Sequence, residues 1–173
     1  YGLLSPRIQP EHSTAIAKAF SGEYGNAQAD ARAHGILSAD STAEADSGRG
    51  GTSDANAISN ASEGDAKSDA LAKSGEYGSS DALAKATAGN DVEDSRAKAV
   101  SGDYGTSIAL GIFDAGDDVG DAEDSGGNKV IAESGHDGYS RAIMNATAVD
   151  NVRDNFVEAT TKDNGTAIAT GNA

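Results

Sequence analysis

Residues 67–91 read KSDALAKSGEYGSSDALAKATAGND. Ser68, Ala70 and Ala72 alternate with Asp69, Leu71 and Lys73. Beyond the Ser-Gly-Glu-Tyr-Gly turn at 74–78, Ser80, Ala82, Ala84 and Ala86 alternate with Asp81, Leu83, Lys85 and Thr87. A two-residue period belongs to a β-strand, whose successive side chains point to opposite faces. Ala in isolation favours helix, but no helical spacing gathers these alanines on one face. Periodicity outranks propensity, and the stretch predicts two strands joined by a Gly-rich turn.

The pattern extends over most of the chain. The first thirteen alanines, Ala15 to Ala61, all occupy odd positions, and the next seven, Ala66 to Ala88, all occupy even ones. Parity returns to odd at Ala97, to even at Ala122 and to odd at Ala159. The turn also recurs. Ser-Gly-x-x-Gly stands at 21–25, 47–51, 74–78, 101–105 and 134–138, with a degenerate copy at 161–165. The spacings are 26, 27, 27, 33 and 27 residues. One alternating segment precedes each turn (13–20, 41–46, 67–73, 95–100, 127–133, 155–160) and one follows it (26–34, 52–60, 79–88, 106–113, 139–148, 166–173). A second turn such as Gly89-Asn90-Asp91 closes each unit.

Self-similarity at this period marks a repeat architecture. The expected fold is all-β: an Ala/Gly-rich β-solenoid of six two-strand coils of about 27 residues with a thin, small-residue core. Like positions then stack about 4.8 Å apart along each of two facing sheets. Ser41, Ala43 and Ala45, Ser80 to Ala86, and Ser95, Ala97 and Ala99 point inward. Small side chains lose little rotamer entropy on burial, so backbone ladders and stacked turns carry most of the stability. A coil of half that length and an antiparallel meander are the rivals. Alternation over Ala27–Ala33 and Ala82–Ala88 is too long for the shorter coil.

Composition sets the limits on function. Of 173 residues, 33 are Ala and 22 Gly; aromatics are 5%, Cys and Trp are absent, and the net charge is −15. A chain without Cys has no disulfide framework or thiolate site. Binding to nucleic acid or to anionic membranes needs clustered cations, which an isoelectric point near 4.3 argues against. No apolar run approaches the ~18 residues of a membrane span, so neither nucleic acid nor membrane insertion is expected. Such acidity would suggest disorder if the alanines were scattered; their regular spacing argues otherwise. A start at Tyr1 fits a processed product, and a secreted, extracellular location is expected.

Two segments depart from the repeat. Residues 1–12, with Leu3, Leu4, Pro6, Ile8 and Pro10, form an N-terminal arm that either caps the first coil or donates a strand to the next subunit. The repeat domain is 13–173, and its last unit is still in pattern at Ala173, so an open C-terminal end is expected. The 33-residue spacing marks an acidic insertion at 114–124. Asp114, Asp117, Asp118, Asp121 and Asp124 make a weak Ca²⁺ candidate, since that ion takes oxygen ligands. Neither the EF-hand nor the nonapeptide calcium spacing is present, so a solvated acidic loop and no cofactor are expected.

Function is expected on outward positions. Leu83, Leu110, Ile143 and Ile168 read as one apolar column of the second sheet, flanked by Ile108 and Ile112. On an acidic protein such a stripe suggests a contact surface, although apolar residues also suit any stacked sheet. Tyr24, Tyr77 and Tyr104 share one turn position, interrupted by Gly50 and Asp137, and read as a stacked ladder. Asn60, Asn145 and Asn164 begin glycosylation sequons; the first two have outward parity and the third lies in a turn. His12, His34 and His136 are far apart, and the nucleophile-elbow and phosphate-loop motifs are absent, so no enzyme is expected.

Residues 13–173 resemble two kinds of extracellular β-solenoid. Ser107-Ile108-Ala109-Leu110-Gly111 is loosely similar to the repeated strings of trimeric-adhesin heads, and the narrow core is similar to that of insect and grass antifreeze solenoids. The antifreeze resemblance implies ranks of Thr-x-Thr or Asn-x-Val on a flat face, and Thr-x-Thr does not occur in these strands. The expected function is a structural subunit that assembles with itself, end to end, into an extracellular fibril or matrix. A binding module, either a surface adhesin touching glycans or an ice-binding protein, is the alternative.

Overall fold

A computed structural model describes residues 10–120 and 127–173. The first sheet holds β1 (His12–Phe20), β3 (Ser38–Asp46), β5 (Asp65–Lys73), β7 (Arg96–Val100), β10 (Lys129–Ser134) and β13 (Phe156–Thr161), in that spatial order. The second holds β2 (Asn26–Gly35), β4 (Thr52–Ala61), β6 (Ser79–Ala88), β8 (Thr106–Ala115), β11 (Tyr139–Thr147) and β14 (Thr166–Asn172), also in that order. A corner ladder pairs β9 (Asp118–Val119) with β12 (Asn151–Val152).

Every pairing is parallel, with partners 26, 27 or 33 residues apart: His12 opposite Ser38, Ser38 opposite Asp65, Arg96 opposite Lys129. This register is that of a β-solenoid with two long strands per coil. It excludes both the meander, which needs antiparallel pairs, and the half-length coil. β3 and β5 begin earlier than the sequence reading placed them, because Ala39 and Ala66 extend the inward alternation. Pro10–His12, read as the end of the arm, belong to the first coil. The Pro10 and Glu11 carbonyls accept the amides of Ile36 and Leu37, and His12 opens β1.

The core is a set of stacked columns. Ala17, Ala43, Ala70, Ala97, Val130 and Val157 form one on the first sheet. Ala84, Gly111, Met144 and Gly171 continue one on the second. Where Val130 and Phe113 enter, Gly111 makes room: a Cβ there would lie 2.5 Å from Val130 Cγ2 and 2.8 Å from the Phe113 ring.

Hydroxyls occupy the core beside the Ser-Gly-x-x-Gly turn. Ser80 Oγ donates to Ser74 Oγ at 2.8 Å and stands 2.7 Å from the Val100 carbonyl of the following coil. Ser53, Ser107 and Ser140 repeat the arrangement with Ser47, Ser101 and Ser134. In the first coil Ala27 replaces the donor serine, and Ser21 Oγ is buried without a partner. Buried hydroxyls are normally satisfied, and this exception, the single one among the described residues, follows from one substitution in the repeat.

The same turn places one residue per coil in the left-handed region: Tyr24, Gly50, Tyr77, Tyr104, Asp137 and Asn164, with φ between 52° and 66°. Their amides build a ladder toward the next coil, from Tyr24 N to Arg49 O (2.8 Å) through to Asp137 N to Asp163 O (3.0 Å). Tyr77 and Tyr104 stack with centroids 5.2 Å apart and planes 6° from parallel. Tyr24 lies over Gly50, where a Cβ would come within 2.6 Å of its ring.

Candidate interaction surfaces

The outward columns divide the charge unevenly. Long strands of the first sheet carry six cationic and seven acidic residues; those of the second carry three and four. Among the described residues, 14 further acidic residues lie outside the twelve long strands. The broad faces are therefore close to neutral, and the negative charge is concentrated along the turn edges. Asp118, at one such edge, accepts hydrogen bonds from Asn151 (2.9 Å) and Arg153 (2.8 Å). Those partners, the Asn151 bond first, hold its carboxyl below the usual range.

The apolar stripe is on the second sheet, with one correction. Leu83, Leu110 and Ile143 share a column, and Ile108 and Ile112 flank Leu110. Ile168 does not join them: it stacks on Arg141, in the Ile108 column, and Thr170 stands opposite Ile143. Twenty-seven residues separate Ile143 from Thr170, so the turn spacing decides the register. Ile58, opposite Lys85 in the Ile112 column, extends the patch toward the N-terminal coils.

The largest exposed apolar residues on strands lie at the two ends of the molecule. Ile16 and Phe20 on β1 are 68% and 67% exposed, and Phe156 on β13 is 47% exposed. On β14 even the inward residues Ala167 and Ala169 are exposed. Among the described residues β1 and β2 have no neighbour on one side, nor do β13 and β14 on the other. Parity cannot find these residues, because an end position is defined by what lacks a neighbour in the stack. Leu3, Leu4 and Ile8 lie outside the described residues.

The acidic insertion divides differently from the sequence reading. Asp114 closes β8 opposite Thr87, and Asp118 pairs with Asn151 in regular coil register. Val92 to Val119 spans 27 residues and Val119 to Val152 spans 33, so the extra length falls after Val119. Asp121 and Asp124 lie outside the described residues. Among the described residues no three acidic or histidine side chains are grouped to hold a metal. Asn60 and Asn145 face outward from β4 and β11, where Asn60 meets His34 (3.2 Å) and Asn145 accepts from Asn172 (2.9 Å). Asn164 is exposed in its turn.

A polar groove of about 280 Å³ on the first sheet is lined by Lys67, Asp69, Arg96, Lys129 and Gly127. Burial pushes the Asp69 carboxyl up, against the opposing pull of Lys67 and Arg96. Charges of both signs line the groove, Lys67, Arg96 and Lys129 with Asp69 and Asp94.

Geometry and register define a two-sheet parallel β-solenoid repeat protein with near-neutral faces, acidic edges and end strands that lack an outer neighbour among the described residues. No protein-family model, no curated protein and no solved structure matches the chain.

Proposed function

We propose that this chain is a structural subunit, not a catalyst, that assembles end to end into an extracellular fibril or matrix. The observation that supports this reading is the parallel strand edge at each end, unpaired among the described residues and bearing exposed Ile16, Phe20 and Phe156. Such edges offer rows of amides and carbonyls to another strand. Acidic turn edges repel one another laterally and keep the sides solvated. Sequons at Asn60, Asn145 and Asn164 are compatible with glycans on those sides in a secreted protein.

Negative-stain electron microscopy of the purified 173-residue chain over a concentration series tests the reading. Unbranched filaments one solenoid wide are the expected outcome. Monodisperse rods of about 29 Å, the rise of six coils at about 4.8 Å each, at every concentration would overturn it. A second reading, a binding module such as an adhesin, rests on the Leu83, Leu110 and Ile143 column, which end-to-end contact leaves uncovered. It predicts such rods together with retention on an apolar or glycan-bearing matrix.

A further inference from the structure

The register inside the molecule specifies what each end strand would meet if the stack continued. We propose that the junction is head to tail: β13 and β14 of one copy seat on β1 and β2 of the next in unbroken 27-residue register. Glu158 then pairs with Lys18, and Phe156 covers Ile16. This inference rests on end-to-end assembly and adds the partner, the polarity and the contacts.

The argument comes from the outward columns of the first sheet. One column runs Ile16, Thr42, Asp69, Arg96, Lys129, Phe156, with its exposed apolar residues at the two extremes. The next runs Lys18, Glu44, Leu71, Lys98, Ile131, Glu158, opening on a cation and closing on an anion. Adding a coil places each extreme against its complement. Lys18 Nζ already bonds Glu44 at 2.8 Å, and an ammonium has three donors, so it can bridge carboxylates on both sides. Joining like ends offers no such match, because Lys18 and Glu158 then never meet.

The remaining columns accept the same register. Inward, Val157 and Ala159 would stack on Ala17 and Ala19, and Ala167 and Ala169 on Ala27 and Ala29, continuing columns of small residues. Outward on the second sheet, Ile168, Thr170 and Asn172 would face Gln28, Asp30 and Arg32, with no like charges opposed. In the turn, Tyr24 N to Arg49 O, Gly48 N to Gly22 O and Thr52 N to Gly25 O are bonds that recur along the coils. One coil further, they become Asn164 N to the next copy's Glu23 carbonyl, that copy's Gly22 N to Lys162 O, and its Asn26 N to Gly165 O. Like charges meet only in exposed turns: Asp163 falls on Glu23, in the same column as the Glu76 and Asp103 neighbours of the chain itself, and Asp150 falls on Glu11, in the column where Asp150 already follows Asp117.

Cysteine cross-linking of the full chain tests the register, since the sequence has no Cys of its own. In Ile16→Cys/Phe156→Cys the two thiols are at opposite ends of one molecule. Adjacent parallel strands bring Cα atoms within the ~4.4–6.8 Å that a disulfide spans. Oxidation should give a covalent ladder of dimers, trimers and higher species on non-reducing gels, and Ile16→Cys alone should stop at dimers or stay monomeric. Charge reversal is the second arm. Glu158→Lys should raise the concentration needed for filaments roughly three- to tenfold, and Lys18→Glu/Glu158→Lys should restore it, with circular dichroism unchanged. Filaments that form without cross-linking, or without rescue by the double reversal, would overturn the register while leaving end-to-end assembly standing. A wild-type chain that stays monomeric at all concentrations would overturn both.

Discussion

The first three coils and the fourth and fifth coils solve the same packing problem with different side chains. In the early coils nearly every inward residue is Ala or Ser, as in Ala43, Ala45, Ala55, Ala57, Ala70 and Ala84. In the later ones Phe113, Val130 and Met144 are buried, and Gly111 stands where Ala84 stood one coil before. Met144 has Gly111 and Gly171 on either side in its column. The two sheets run continuously through both regions, so their separation cannot change abruptly. Phe113, Val130 and Met144 are thus accommodated beside glycine, Gly111 against the first two and Gly111 and Gly171 against the third, and summed volume per layer, not residue type, is what the fold keeps there.

Phe113→Ala should break this comparison most severely. The backbone spacing is set by coils on both sides, so collapse around the vacated ring is limited and the loss should be about 3–5 kcal/mol, read by chemical denaturation. Gly111→Ala comes next, at about 1–3 kcal/mol, since its methyl meets Val130 and Phe113. Adding Val130→Ala should recover much of that loss by returning the layer to the alanine pattern; an additive double mutant would contradict shared volume as the cause.

A gain is expected in the first coil. Ala27→Ser would give buried Ser21 Oγ the partner it lacks and extend the hydroxyl ladder toward the Asp46 carbonyl, stabilising by about 1 kcal/mol. No rise in the denaturation midpoint would mean that Ser21 is already satisfied.

The smallest effect concerns the outside of the early coils. Asp54 and Asp81 are neighbours in a column that continues as Ile108 and Arg141. Burial, with Asp54 adding to it, pushes the Asp81 carboxyl above its ordinary value. A carboxyl raised on folding favours the protonated native state, so ionised Asp81 costs stability at neutral pH, and acidification through its raised pKa relieves that cost. Asp81→Asn should therefore raise Tm by about 1–2 °C at pH 7. The gain should vanish at a pH below the ordinary Asp range. Glu44 behaves oppositely. The hydrogen bond from Lys18 lowers its pKa, so its contribution is present at neutral pH and disappears as pH falls through that lowered value.

Much of this architecture is legible before any coordinates. Among the described residues alanine parity assigns the inward face correctly from Ala27 to Ala146, and the Ser-Gly-x-x-Gly spacing gives both coil length and strand order. The errors arise where a reading needs neighbours in the stack and not period alone. Ile168 has outward parity, but only a count of 27 from Arg141 puts it in the Ile108 column. The acidic run from Asp114 looks continuous in sequence, although the coil register holds through Val119. Ile16, Phe20 and Phe156 carry no local signal at all; their exposure comes from being last in line.

Burial along the stack has a thermodynamic consequence. Inward positions are half-buried on β1, fully buried from β3 to β11, and exposed again on β14. Each coil touches mainly its neighbours, so stability is a sum of coil and interface terms, and unfolding should proceed inward from the ends like a zipper. A single melting midpoint would then average over events that differ from coil to coil. Amide exchange should instead resolve a gradient, slowest around β5 to β8 and fastest in β14, with the middle coils reporting the only opening that requires the whole molecule to come apart.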